Sequence, residues 1–344
     1  MGHARTAILL ADLTNEQQIR RRDSMPALKH ELGEVLVELG REHENLVVIS
    51  GDLGKSTGVS AFETFPERYF NVGISEQDMI GTAAGLATTG KIPVVSTYAT
   101  FLAGRAWEQI RNSVARDDLN VKMIATHSGI SPSADGGSHQ CFEDIALVRS
   151  VPNMTLVLPA DLTEMRQAVI AAVETHGPFY IRLGRGEIKK IFDDNDGFHL
   201  GKAKRLSDGT DVGIIAAGSL MAEAIKAEEL LRTEGIQASL IDMHTVKPAD
   251  EDMVVEVAKD TGGLVTVEDH NILGGLGGTI TEIVCKHHPV PVEMIGIRDR
   301  FGESGDLKEL MELYKLTAPH IAAAAKRVIQ RRARFQAEKD SVSN

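Results

Sequence analysis

Short apolar runs recur at 46–49, 92–95, 121–125, 155–158 and 179–183, with helix-period stretches at 100–114, 142–149 and 162–173 between them. Runs of four or five apolar residues without polar alternation are buried on both faces, which a parallel sheet covered by helices provides. A helix precedes the first run, with Leu28, Leu32, Val35, Leu36 and Leu39 on one face. The polar, aspartate-rich piece at 187–201 breaks the rhythm, which then restarts with strands at 212–216, 238–242, 264–268 and 292–297 and helices at 221–234, 250–259 and 279–285. The reading is an α/β chain of two consecutive doubly wound, mostly parallel-sheet domains. We expect an N-terminal extension over 1–24, a first domain over 25–190, a linker over 191–206, a second domain over 207–336 and a tail over 337–344. The stretch 322–336 reads as a solvated, basic-faced helix.

Bulk properties exclude several classes. A net charge of -12 repels nucleic acid and anionic membranes, so no nucleic-acid or membrane role is expected, and any anionic ligand must meet local basic residues. Cys141 and Cys285 are too few and too far apart for a disulfide framework, which fits a reducing, cytoplasmic setting. No apolar stretch is long enough to span a bilayer.

Chemistry-bearing residues cluster in the first half, at the ends of the expected strands, where ligands bind in open α/β sheets. Glu76, in Asn71-Val72-Gly73-Ile74-Ser75-Glu76-Gln77-Asp78, stands between a strand-like start and a small-residue helix. It is either a helix N-terminal glutamate favoured by the helix dipole, or a sequestered acid that keeps its proton and bonds a ring nitrogen of a bound heterocycle. Tyr98 and Phe101, three apart, either pack in the core or wall a flat heteroaromatic ring.

A glycine- and serine-rich loop follows the strand at 121–125 and carries His127, Asp135, Ser138 and His139. Its histidines suit proton transfer or hydrogen bonds to sugar hydroxyls. No third histidine or cysteine cluster supports a metal site. A hydrolase pairing of Ser138 or Cys141 with His139 is disfavoured, because adjacent side chains seldom face each other and no elbow motif surrounds them. Arg182 and Arg185 suit a phosphate, or a structural ion pair. Lys29 and Ser56 are further phosphate candidates. Gly274-Gly275-Leu276-Gly277-Gly278 before a helix is either an anion cradle or a tight, closely packed turn.

Together these strings resemble the transketolase family, in its C-terminal half. The matching pieces are Gly51-Asp52-Leu53, the 71–77 block, Ser96-Thr97-Tyr98-Ala99-Thr100-Phe101, Thr126-His127, the 135–140 block and 179–185. The resemblance implies a pyrimidine-binding domain for thiamine diphosphate, followed by the transketolase C-terminal domain. It implies the small subunit of a split transketolase, since the Gly-Asp-Gly motif of the diphosphate domain is absent here. A larger partner subunit would then bind the diphosphate through Mg2+ or Ca2+, in an α2β2 assembly acting on sugar phosphates.

By the same resemblance, Glu76 would bond the aminopyrimidine and promote its imino form. Phe101 would stack on that ring with Tyr98 beside it, and Asp52 would belong to the cofactor site. His127 would contact donor hydroxyls and move protons, and Asp135 would read donor stereochemistry. His139 would line the channel, and Arg185, Ser56 and Lys29 would hold the substrate phosphate. The family places arginine where Lys29 stands, and lysine lacks the bidentate fork. Two other activities share parts of this pattern: a 2-oxo acid dehydrogenase β subunit and a non-catalytic assembly subunit. The 135–140 block with His127 favours ketose chemistry over the first, and intact Glu76, Phe101, His127 and His139 argue against the second.

Overall fold

The computed structural model of the protein describes residues 27–186, 190–193 and 196–342. The expected extension at 1–24 lies outside them. Two sheets organise the chain. The first runs in the order β10-β5-β6-β4-β3-β1-β2. Its strands are β1 (Leu46–Ser50), β2 (Tyr69–Asn71), β3 (Ile92–Tyr98), β4 (Lys122–Thr126), β5 (Thr155–Val157), β6 (Phe179–Arg182) and β10 (Thr245–Lys247). The second runs β12-β11-β8-β9-β7, built from β7 (Lys204–Ser207), β8 (Val212–Ala216), β9 (Ala238–Asp242), β11 (Leu264–Asn271) and β12 (Val292–Ile297). All pairs are parallel except β10 with β5 and β7 with β9. The doubly wound α/β reading is therefore correct.

The central strands are mostly apolar because both faces are covered: every residue of β1, β4, β6, β8 and β9 is buried, including a few polar and charged ones such as Lys122 and Arg182. The helix Leu28–Glu42 buries Leu28, Leu32, Val35, Leu36 and Leu39, the face its periodicity marked.

Three features depart from the sequence rhythm. The last residues of the expected linker form the edge strand β7 on β9. Directly after β9 the chain crosses back, and β10 covers the open edge of the first sheet, with Leu158 N bonding His244 O at 2.7 Å. The stretch read as one helix over 100–114 is broken at Ala106 into Ala99–Arg105, Trp107–Gln109 and a π-helical turn at Ile110–Ala115.

The basic C-terminal helix spans Ala318–Val342 and is not solvated all round. Ile321, Ala324, Ala325 and Val328 are buried, and Arg331 pairs with Glu293 at 2.8 Å. The glycine cluster does cradle an acid, and it is the chain's own. The Glu268 carboxylate accepts from Leu276 N at 2.6 Å and Gly277 N at 2.8 Å, and burial pushes its pKa up to about 7. No helix among the described residues is long and apolar enough to cross a membrane.

Candidate functional site

The parallel register brings the strand ends together. Tyr98 lies opposite Thr126 across β3 and β4, and Ala125 lies opposite Arg182 across β4 and β6. Each strand then feeds a loop at the same carboxyl edge of the sheet, so the residues singled out after β1, β3, β4 and β6 converge there. Two of them sit in left-handed backbone: Asp52 at φ 65 and His127 at φ 56. Such strain in residues with a Cβ concentrates at functional sites.

Glu76 is the first residue of the helix Glu76–Thr88, yet its side chain turns inward and the residue is 2% exposed. Arg105 Nη1 donates to Glu76 Oε2 at 2.9 Å. Glu76 Oε1 is buried with no hydrogen-bond partner. Glu76 is thus both the first residue of its helix and sequestered, and its enclosure contains a guanidinium. Arg105 was missed by sequence reasoning. Its signal was the four-residue spacing from Phe101, which puts both on one helix face. Its guanidinium carbon lies 4.3 Å from the Phe101 ring centroid.

The aromatic residues surround histidines and do not sit in the core. Tyr98 stacks on His127 with centroids 3.8 Å apart and lies 5.9 Å from Phe101, nearly parallel at 17°. Phe101 meets His139 edge-on at 5.4 Å. Ser56 Oγ and Tyr98 OH are 2.6 Å apart, which ties Ser56 to this cluster.

His127 is buried, and its Nδ1 is 3.0 Å from Thr126 Oγ1. Desolvation first, then the Arg185 charge, lowers its pKa to about 4 against the opposing pull of Asp135, so the ring is neutral at pH 7. Arg185 Nη1 bonds Asp135 Oδ2 at 3.0 Å, with both side chains partly exposed at the rim. Arg182 takes the structural option: it is buried between Asp144 and Asp269, at 2.9 and 2.5 Å.

Ser138 Oγ and His139 Nδ1 do meet, at 2.9 Å, contrary to the expectation for adjacent residues. Cys141 is buried and its thiol pKa is pushed well up by desolvation, so it is no thiolate nucleophile. Asp52 is locked to Asn71 by two 3.1 Å bonds, one through its amide and one through its carboxylate.

Lys29 is placed differently from Arg185. It lines a neighbouring cleft of about 510 Å³ with His30, Glu34, Arg41 and Lys55, a cleft that His127, Asp135 and Arg185 do not line. The backbones are nonetheless adjacent: Leu28 N bonds Gly186 O at 3.2 Å. No group of three or more metal-ligating side chains is assembled among the described residues.

Two family signatures match this chain: the transketolase pyrimidine-binding domain over residues 24–190 and the transketolase C-terminal domain over residues 201–321. A transketolase C-terminal section from Methanocaldococcus jannaschii is 46% identical over 294 residues, covering 84% of this chain and 92% of the relative. A 6-deoxy-6-sulfo-D-fructose transketolase subunit from a Clostridium species is 40% identical over 300 residues, covering 87% of this chain and 93% of that subunit. A solved split-gene transketolase, described as an inactive β4 tetramer, superposes with a TM-score of 0.82 at 44% identity, covering 88% of this chain and 98% of that one. The chain belongs to the transketolase family, as a subunit of the split type.

Proposed function

We propose that this chain supplies the pyrimidine side of a site that transfers a two-carbon ketol unit from a ketose phosphate to an aldose acceptor. The observation that carries the reading is Glu76 Oε1: a buried carboxyl oxygen without a hydrogen-bond partner, on an acid whose other oxygen is held by the Arg105 guanidinium that lies over the Phe101 ring. A buried polar atom left unsatisfied is costly, so a bound group that bonds it there accounts for its placement. An aminopyrimidine fits, with a ring nitrogen for Oε1 and a flat face for Phe101.

When bound, thiamine diphosphate supplies the carbon centre that carries the two-carbon unit. This chain's residues do the rest on their side. Glu76 holds or moves a proton at Oε1. Tyr98 and Phe101 flank the ring, and Asp52 with Asn71 fixes the turn beside Gly73. Neutral His127 bonds donor hydroxyls and accepts a proton from them. Asp135 reads donor stereochemistry, and His139 lines the channel. Arg185 meets the substrate phosphate, with Ser56 and Lys29 nearby.

In this reading the diphosphate and its Mg2+ or Ca2+ are held by a larger partner subunit, in an α2β2 assembly. A relative described as an inactive β4 tetramer supports dependence on such a partner. The working division of the chain is 25–190 for the pyrimidine side and 207–336 for the C-terminal unit. The test is to combine the chain with a larger transketolase subunit and assay ketol transfer against 2-oxo acid decarboxylation. Decarboxylation without ketol transfer favours the dehydrogenase β-subunit alternative and ends this proposal.

A further inference from the structure

The loop carrying Asp135 and His139 is held from outside its own sheet. Gln140, 4% exposed, donates through Nε2 to Glu303 O at 3.0 Å and to Ser133 O at 3.3 Å. Glu303 lies 163 residues further on, in the loop between β12 and the helix Leu307–Leu313. Glycines allow the two loops to touch. A Cβ on Gly302 would overlap Gln140 Oε1, a Cβ on Gly136 would overlap Ser304 Oγ, and a Cβ on Gly137 would come within 2.6 Å of Gly302 O. Gly136 also needs its φ of 73, and its carbonyl accepts from both His139 N and Gln140 N at 3.0 Å. The far loop is itself anchored. Tyr314 OH donates to Phe301 O at 3.4 Å, Arg300 lies over the Tyr314 ring at 4.3 Å, and Tyr314 packs edge-on against Phe142 at 6.0 Å.

From this juxtaposition we propose that the C-terminal unit sets substrate recognition, with Gln140 and Gly302 as positioning residues that hold Asp135 and His139 at the sheet edge. Neither touches substrate. They act by removing the loop's alternative conformations, so the recognition groups are in place before the sugar arrives. The inference rests on the substrate roles proposed above for Asp135 and His139.

Two variants test it: Gln140→Met, which keeps the length but removes the donor, and Gly302→Ala, which inserts a methyl group into the contact. Hydrogen exchange on the isolated full chain reads the loop directly. The Asp135 and His139 amides should exchange about 10-fold faster in either variant, while β4 amides stay unchanged. In the reconstituted enzyme, KM for a D-ketopentose phosphate donor should rise about 10-fold with kcat within about 2-fold. In an Asp135→Ala/His139→Ala background, Gln140→Met should add little further change in KM, because it acts through those two residues. Unchanged loop exchange, or an equal added effect in that background, overturns the inference. If Asp135→Ala and His139→Ala impair KM while Gln140→Met and Gly302→Ala do not, the positioning role alone is wrong. If Asp135→Ala and His139→Ala leave KM unchanged, the site reading is wrong and this inference falls with it.

Discussion

Arg105 reaches back past Phe101 to Glu76, donating from Nη1 to Oε2 at 2.9 Å and leaving Oε1 free. One guanidinium therefore orients the buried acid and packs on the ring beside it. The pair is asymmetric, with the Arg105 side chain 49% exposed and that of Glu76 1% exposed. Solvent screens the arginine end, so the pair contributes less than a fully buried one.

That asymmetry gives a double-mutant prediction. Arg105→Met strands a buried carboxylate and should cost about 1–2 kcal/mol in urea unfolding. Glu76→Gln should change stability by less than about 1 kcal/mol, yet lower kcat of the reconstituted enzyme by about 100-fold or more. The double variant should regain most of the stability lost in Arg105→Met. Additive losses in the cycle would show that the contact does no energetic work.

The second prediction concerns pH. The folded pKa of His127 is lowered to about 4, chiefly by desolvation, below the ordinary histidine value near 6.5. The unfolded chain then binds the proton first. The stability this group contributes is fully present above about pH 6.5 and is lost as pH falls towards 4. His127→Gln should therefore remove on the order of 2–3 kcal/mol of acid sensitivity between pH 6.5 and 4, read from urea melts at several pH values. His244 and His270, also lowered to about 4 by burial, retain their share in that variant. Glu268, raised to about 7, works in the opposite direction and loses stability as pH rises from about 4.5 to 7. An unchanged slope in His127→Gln refutes the buried neutral ring.

Arg185 and Lys29 should separate kinetically. Arg185 stands at the rim with Asp135, so Arg185→Ala should raise KM for phosphorylated donors about 10- to 100-fold and spare unphosphorylated ones. Lys29→Arg should lower KM for phosphorylated donors by about 3-fold by supplying the bidentate fork. No change on that substitution removes Lys29 from the phosphate site and leaves it to its own cleft.

Partner dependence is open to calorimetry. The described residues assemble no metal-binding group of three or more side chains. Titrating thiamine diphosphate with Mg2+ into the isolated chain should give no tight, metal-dependent binding, and adding the larger subunit should restore it. Tight binding to the chain alone contradicts the shared site.

Much of the fold was readable because its determinants are local. A run such as Leu46–Ser50 shows its double burial in its own composition, and the Leu28–Glu42 helix shows its buried face by spacing. Glu76, His127, Asp135 and Arg185 could be picked out because each follows a strand. Arg105 was obscured by the helix break at Ala106, which the sequence marks only by Gly104 in the preceding turn. The edge strands β7 and β10 are four and three residues long, too short to show a period.

The sequence by itself determined the layered α/β class, the chemical types at the sheet edge and the family. Those properties live in short strings whose periodicity and side chains are fixed by neighbours in the chain. Only the tertiary structure decided that β10 crosses back to the first sheet, that Arg105 partners Glu76, and that a loop 163 residues away holds Gln140. Each is a contact between segments distant in sequence, set by how packed layers meet, and no local pattern encodes which groups that packing brings within bonding distance.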